Sequence, residues 1–292
     1  MQKVGTWLQC TLNPDQQQRQ AAEEALRLAV DEPGHVVTLF RLAVDTSIPA
    51  ELPLRQAAAI NMKNVIGRRW EPRDPPKHLQ EHATPALADA DKAVVRSNLA
   101  EALAVSPPTI RSQLGLCLKT IANADYPEKW PELLSTICAG LSAQDHPHLH
   151  GALYSLRVLT KVYEYKREVH RAPLYPVVDA TFPKLIELAR AMLALPPAVQ
   201  NAEMLVLIAK VMWSTTQLGL PPMLLQLPNL EPWFATMLAI LEQPLPAGAP
   251  TDEDDAAKWP PFKVKKRVAA IFHRLIQRYG NPKPLTQMSS PR

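Results

Sequence analysis

LPLRQAAAINMKNVIGRRW, residues 52–70, is the stretch from which the rest of this chain is best read. Leu54, Ala57, Ala58, Ile60 and Val65 recur near helical spacing and predict one amphipathic helix. Lys63, Arg68 and Arg69 gather toward its C-terminal end, where cations suit the helix dipole. Pro72 then opposes continuation. By itself the pattern describes one solvent-touching helix of an all-α protein.

Working outward, similar segments follow one another between prolines. Asn13 and Asp15 flank Pro14 as a helix start, and the helix runs to Val30 before Pro33 and Gly34 break it. Val36, Val37, Leu39, Phe40 and Leu42 mark a partner over residues 35–45. The polar, proline-rich segment 71–85 reads as a connection or a short irregular helix. Beyond it, apolar periodicity returns around Leu99, Leu118, Leu134, Leu156, Leu185, Ile208 and Leu238. The run TDEDD, with Asp252, Glu253, Asp254 and Asp255, sits in a loop, and Val264, Val268, Ile271 and Leu275 mark a last helix.

Long helices begin near Pro14, Leu52, Pro108, His150, Pro197 and Pro261, at steps of roughly 38, 56, 42, 47 and 64 residues. HEAT or armadillo units repeat every ~40–47 residues. The two long steps hold the proline-rich connection and the acidic loop. The pattern predicts a right-handed α-solenoid of about six HEAT-type hairpins, each too small to bury its apolar face without a neighbour. A compact helical bundle is the alternative.

The expected divisions are an N-terminal cap and first-helix start over 1–20, two repeats over 21–105 and further repeats over 106–243. An acidic, proline-rich loop over 244–260, a terminal helix over 261–280 and a disordered tail over 281–292 complete the chain.

Composition fits this plan. With 47% hydrophobic residues the chain can bury a core, and nine glycines against thirty prolines favour punctuated helices over strands or phosphate-cradling loops. The net charge of +4 is spread out except at KVKKR, residues 263–267, which reads as the wet face of the last helix. Specific nucleic-acid binding, which calls for a concentrated basic stripe, is not expected. Cys10, Cys117 and Cys138 lack metal or redox spacing and are expected as reduced thiols. The longest apolar candidate for a span, MLVLIA at 204–209, stops at Lys210, so no membrane insertion is expected. A soluble intracellular protein is the expectation.

Phosphate-loop, zinc-protease and nucleophile-elbow motifs are absent. HPHLH, residues 146–150, invites a metal reading, but a solvated loop is the simpler one. Glu23 and Glu24 diverge on one helix and make a poor acid–base couple. The expectation is therefore a binding protein, not an enzyme, with no catalytic residue, cofactor or metal.

Several strings in order then resemble one family. TLNPDQQQRQAAEEALR at 11–27 resembles the first-helix pattern of importin-β (karyopherin-β) receptors. In residues 52–70, Arg55, Gln56, Lys63, Asn64 and Trp70 match the second-repeat pattern, with Met62 in place of the usual leucine. ADYPEKWPELL at 124–134 resembles the third-repeat turn. YEYK at 163–166 and RLIQRYGNP at 274–282 are similar to the importin seven and importin eight group. Arg267 departs from that group, which tends to carry tryptophan there.

The resemblance implies a nuclear transport receptor whose N-terminal repeats grip the GTP form of the GTPase Ran through their second helices. It implies nucleoporin FG repeats and basic cargo as further partners, and shuttling between cytoplasm and nucleus by way of the nuclear envelope. It places the Ran-facing helices at 35–45 and 94–103, with Arg41, Asp45, Arg96 and Glu101 as candidate contacts. Arg55, Lys63 and Asn64 are family marks and weaker contact candidates, and the acidic run is a candidate for basic cargo. Because full receptors have about twenty repeats, a short isoform, a fragment or an incomplete gene product is expected. The rival function is a generic HEAT scaffold indifferent to Ran; a helical nucleic-acid binder is a third.

Overall fold

The computed structural model describes residues 1–71 and 85–280. Most of the expected connection over 71–85 and the whole tail expected over 281–292 lie outside the described residues. Among the described residues there is no strand. The helices are α1 Gln2–Cys10, α2 Gln16–Ala29, α3 His35–Val44, α4 Leu52–Arg69, α5 Asp89–Val105, α6 Pro108–Asp125, α7 Glu132–Gly140, α8 His146–Val162, α9 Leu174–Leu193, α10 Val199–Thr216, α11 Leu227–Glu242, α12 Glu253–Lys258 and α13 Pro260–Tyr279. They divide into two compact units, Met1–Val158 and Leu159–Arg292.

Sequence chemistry sets the helix starts. Asp15 caps α2 by accepting from Gln17 N at 2.8 Å and Gln18 N at 3.3 Å. Proline occupies the first turn of α4, α6, α11 and α13, where its missing N–H is no loss.

In the first unit α1 packs on α2, α3 on α4 and α5 on α6. A layer of first helices, α1, α3, α5 and α7, forms through α1–α3, α3–α5 and α5–α7 contacts, and α4 packs beside α6. This corrects the pairing expected from sequence. Helix α1 precedes the first expected helix, so α3 and α5 are first helices of their pairs, not second ones. The expectation missed α1 because only Val4 and Leu8 are buried in it, one i, i+4 pair in an otherwise polar segment.

Helix α8 lies against three neighbours through small residues. A methyl added at Gly151 would sit 2.5 Å from the Ala104 Cα on α5, and one at Gly140 on α7 would meet the Ala152 methyl at 2.8 Å. Tyr154 fills the space beside Gly115 on α6.

In the second unit α9 packs on α10 and α11 on α13, with α9 beside α11 and α10 beside α13. The stretch expected as a loop over 244–260 contains α12. Asp252 caps it by accepting from Asp255 N at 3.1 Å, and Glu253, Asp254 and Asp255 fill its first turn, where the helix dipole favours anions. Arg267, the departure noted above, stacks its guanidinium 5.2 Å from the Trp213 ring.

HPHLH is not a loop but the first turns of α8. Asp145 accepts from His148 N at 3.0 Å and faces His148 Nδ1 at 2.5 Å, while His148 Nε2 lies 3.1 Å from Glu101 on α5. His150 Nδ1 is 3.1 Å from the Arg111 guanidinium, which also donates to the Leu103 and Ala104 carbonyls. The imidazoles of His148 and His150 are thus directed to different partners.

The environments of His148 and His150 act in opposite directions. Burial, with Arg111 and His146, pushes His150 down from 6.5 to about 4. Hydrogen bonds to Asp145 and Glu101 raise His148 above 6.5. His150 therefore costs stability as pH falls from 6.5 toward 4, whereas His148 adds stability below 6.5 and loses it as pH rises through its folded value. Thermal melts between pH 7 and pH 4.5 should show less acid destabilisation in His150→Gln than in the unsubstituted chain, and more in His148→Gln.

Candidate functional site

In the first unit α4 packs beside α6 and faces α2 across a recess, so that the three helices border two adjoining grooves. The α4 stripe that packs is Ala58, Ala59, Met62, Val65 and Ile66. It sits slightly round the helix from the predicted one, since Leu54, Ala57 and Ile60 are only half-buried. The small Ala58 and Ala59 let neighbours approach, which hydropathy alone does not reveal.

The groove between α2 and α4 holds about 750 Å³ and includes Glu23, Arg27, Asn61, Asn64, Arg68 and Arg69. The groove between α4 and α6 holds about 1070 Å³ and includes Lys63, Asn64, Arg68, Leu116, Lys119 and Asn123. Asn64 and Arg68 border both. Arg27 is paired with Glu24, and Arg69 with Asp31. Lys63, Arg68, Lys119 and Lys129 have no ion-pair partner among the described residues.

One buried carboxylate holds the end of the second groove. Asp125, at the C-terminus of α6, accepts from Trp70 Nε1 at 3.1 Å and from Arg96 at 2.6 Å. Its backbone carbonyl accepts from Lys129 N and Trp130 N. Lys92 and Arg96 lie 5.8 and 5.9 Å from the Trp70 ring centre. Trp70 is a seam residue, 1% exposed, with its polar edge satisfied.

The predicted residues separate into groups. Lys63 and Asn64 come together on the groove wall, more than a turn before the end of α4, so neither caps it. Arg55 serves the α3–α4 turn: its guanidinium donates to the carbonyls of Asp45, Ile48 and Ala50 at 2.7, 3.1 and 3.0 Å. The Asp45 carboxylate closes the same turn through Ser47 N and Oγ, which hold its pKa below the ordinary carboxylate range. Arg41 is exposed on α3, Arg96 is tied to Asp125, and Glu101 faces His148. Asp252, Glu253, Asp254 and Asp255 belong to α12 in the second unit.

Sequence reading missed Arg68, Lys119, Lys129 and Asp125 as members of this face. Leu116, Thr120 and Asn123 repeat at helical spacing on the side next to that of the buried Cys117 and Ile121, which was the available signal. Burial pushes the Cys117 thiol up to about 12, so it is no nucleophile.

Comparison with known proteins fits this geometry. Residues 22–105 match the family model for the importin-beta N-terminal domain. The "Importin beta-like SAD2 homolog" of Arabidopsis thaliana is 37% identical over 273 residues, covering 93% of this chain and 25% of that protein. "Importin-8" of Homo sapiens is 30% identical over 276 residues, covering 94% of this chain and 26% of its own length. This chain therefore spans about a quarter of the curated relatives it matches. Among solved structures, the exportin Cse1 in its cargo-free, cytoplasmic state superposes with a TM-score of 0.80 at 19% identity, over 95% of this chain and 30% of that one. The fold is that of the importin and exportin HEAT-repeat solenoids.

Two substitutions probe the site's framework. Asp125→Ala leaves a guanidinium and a buried indole N–H without their acceptor and should destabilise by about 2–4 kcal/mol in denaturant melts. Gly67, inside α4, has nothing within 4 Å of an added Cβ. Gly67→Ala should stabilise by about 0.5–1 kcal/mol in the same melts, by helix propensity alone.

Proposed function

We propose, from the premise that this chain belongs to the importin-beta family of nuclear transport receptors, that its first unit binds the GTP form of Ran through the face of α2, α4 and α6. The supporting observation is the pair of adjoining polar grooves that share Asn64 and Arg68. A protein surface placed there meets three successive second helices at once, with uncommitted cations ready for its acidic groups. The sequence had directed attention to α3 and α5; the observed pairing moves the proposed contact to the other layer.

In this reading the chain is a binding protein that takes part in nuclear protein import, shuttling between cytoplasm and nucleus. Nucleoporin FG repeats and basic cargo are its further proposed partners. Lys63 and Arg68 contribute charge to the Ran contact, and Asn64 contributes amide hydrogen bonds. Arg55, Asp45 and Arg96 act indirectly, by holding the helices.

Pull-downs with Ran loaded with a non-hydrolysable GTP analogue or with GDP test the proposal. Capture should favour the GTP form at least tenfold, and Arg68→Glu should lower it at least tenfold with an unchanged melting temperature. Equal capture of both forms, or none of either, overturns the Ran reading; stable partners indifferent to nucleotide would then identify a scaffold.

A further inference from the structure

Two helix-interior glycines of the first unit, Gly5 and Gly67, have open space around an added methyl, and of these Gly67 lines the α4–α6 groove. At Gly115 and Gly151 an added methyl meets Tyr154 or Ala104 within 2.7 Å, so close packing explains the glycine. At Gly67 nothing lies within 4 Å. Glycine weakens a helix relative to alanine, and among the described residues none packs against Gly67 to gain from it. What it provides is a low place in the wall of the α4–α6 groove, where an external chain can come close to the helix backbone.

The groove around that low place is strongly cationic. Among the described residues, Lys63, Arg68, Lys92, Lys119 and Lys129 line it against one lining carboxylate, that of Glu71. Lys92 has a neighbour in Asp89 at 3.8 Å and lies over Trp70. The other four cations have no anionic partner among the described residues. Unpaired cations gathered in a recess with low-dielectric walls concentrate an anionic ligand.

The lining also distinguishes between anions. A nucleic acid would want an exposed aromatic face on which to stack. The only aromatic lining the groove among the described residues is Trp70, which is 1% exposed and covered by Lys92 and Arg96. The lining contributes instead an aliphatic side chain, Leu116, which is 48% exposed. Asn64 and Asn123 add amides that can both donate to and accept from a peptide backbone.

We propose that the α4–α6 groove docks an acidic peptide segment carrying an aliphatic side chain. Its carboxylates meet Lys63, Lys119 and Arg68, its backbone passes over Gly67, and its aliphatic side chain covers Leu116. Recognition of this kind needs no nucleotide and no folded GTPase, so the inference goes beyond the Ran reading.

The probe is a fluorescein-labelled twelve-residue peptide of repeated Asp-Glu-Leu, followed by anisotropy near physiological salt. Saturable binding is expected, weakened at least tenfold by Lys119→Glu. Gly67→Leu should weaken it by a similar factor without lowering the melting temperature, because the added side chain enters open space and improves helix propensity. Leu116→Ser should weaken the leucine-bearing peptide several-fold and leave an all-glutamate peptide unchanged. Binding that ignores Gly67→Leu and Leu116→Ser, or an equally tight fit of a single-stranded oligonucleotide, overturns the proposal. Absence of peptide binding alongside capture of GTP-loaded Ran overturns it and leaves the Ran reading standing. Peptide binding without Ran capture supports it and removes only the Ran reading.

Discussion

The carboxylate of Asp125 joins three helices of the first unit. It ends α6, accepts the guanidinium of Arg96 from α5, and accepts the indole N–H of Trp70 just past α4. Its side chain is 4% exposed, so the charge has left most of its water. Burying a carboxylate is costly, and the cost is offset only when charge-assisted hydrogen bonds replace the lost solvation. Here they come from two different helices, and their directions fix α4 and α5 against the end of α6. The α4–α6 groove takes its shape from this joint, since Trp70 and Lys92 both line it.

That joint also explains the family signature in physical terms. Trp70 closes one recognisable string and Asp125 stands in another, 55 residues later, yet their side chains are hydrogen-bonded. Arg55 is similar: it is engaged by the carbonyls of its own turn. Trp70, Asp125 and Arg55 thus identify the family because they hold its repeats together, whereas Lys63 and Asn64 of the same string stand on the groove wall. The first three are poor guides to the contact surface because their polar atoms are already satisfied.

The helices themselves were legible, because their starts have local causes. Asp15 before α2 and the prolines opening α4, α6 and α13 act through the first turn of their own helix. Pairing was less legible. With α1 contributing only Val4 and Leu8 to the core, periodicity did not announce it, and one missed helix exchanged the layers of all those after it in the unit. The acidic run misled in another way. Four anions in a row suggest solvated coil, but a capping Asp252 followed by three carboxylates in a first turn is also a good helix start. Of the candidate site, Lys63 and Asn64 were legible from their string. Lys119 and Lys129 were not, because only packing brings α6 beside α4.

Net charge was uninformative for a related reason: what matters is where each cation's donors are directed. In the second unit, Arg171 donates to the Thr215 carbonyl and Arg274 to that of Gln217, so both neutralise the end of α10. Lys265 does the same for α11 through Leu241 and Gln243, each at 2.6 Å. Those cations are consumed as helix caps, even though Lys265 sits in the most basic run of the sequence. In the first unit Lys63, Arg68, Lys119 and Lys129 cap nothing and point into shared open space. A basic residue held by no carboxylate or ring is therefore either a cap or available for contact, and the choice depends on whether a helix end lies within its reach. On α4 and α6 the free cations stand on helix sides facing a groove, which leaves them available to a partner.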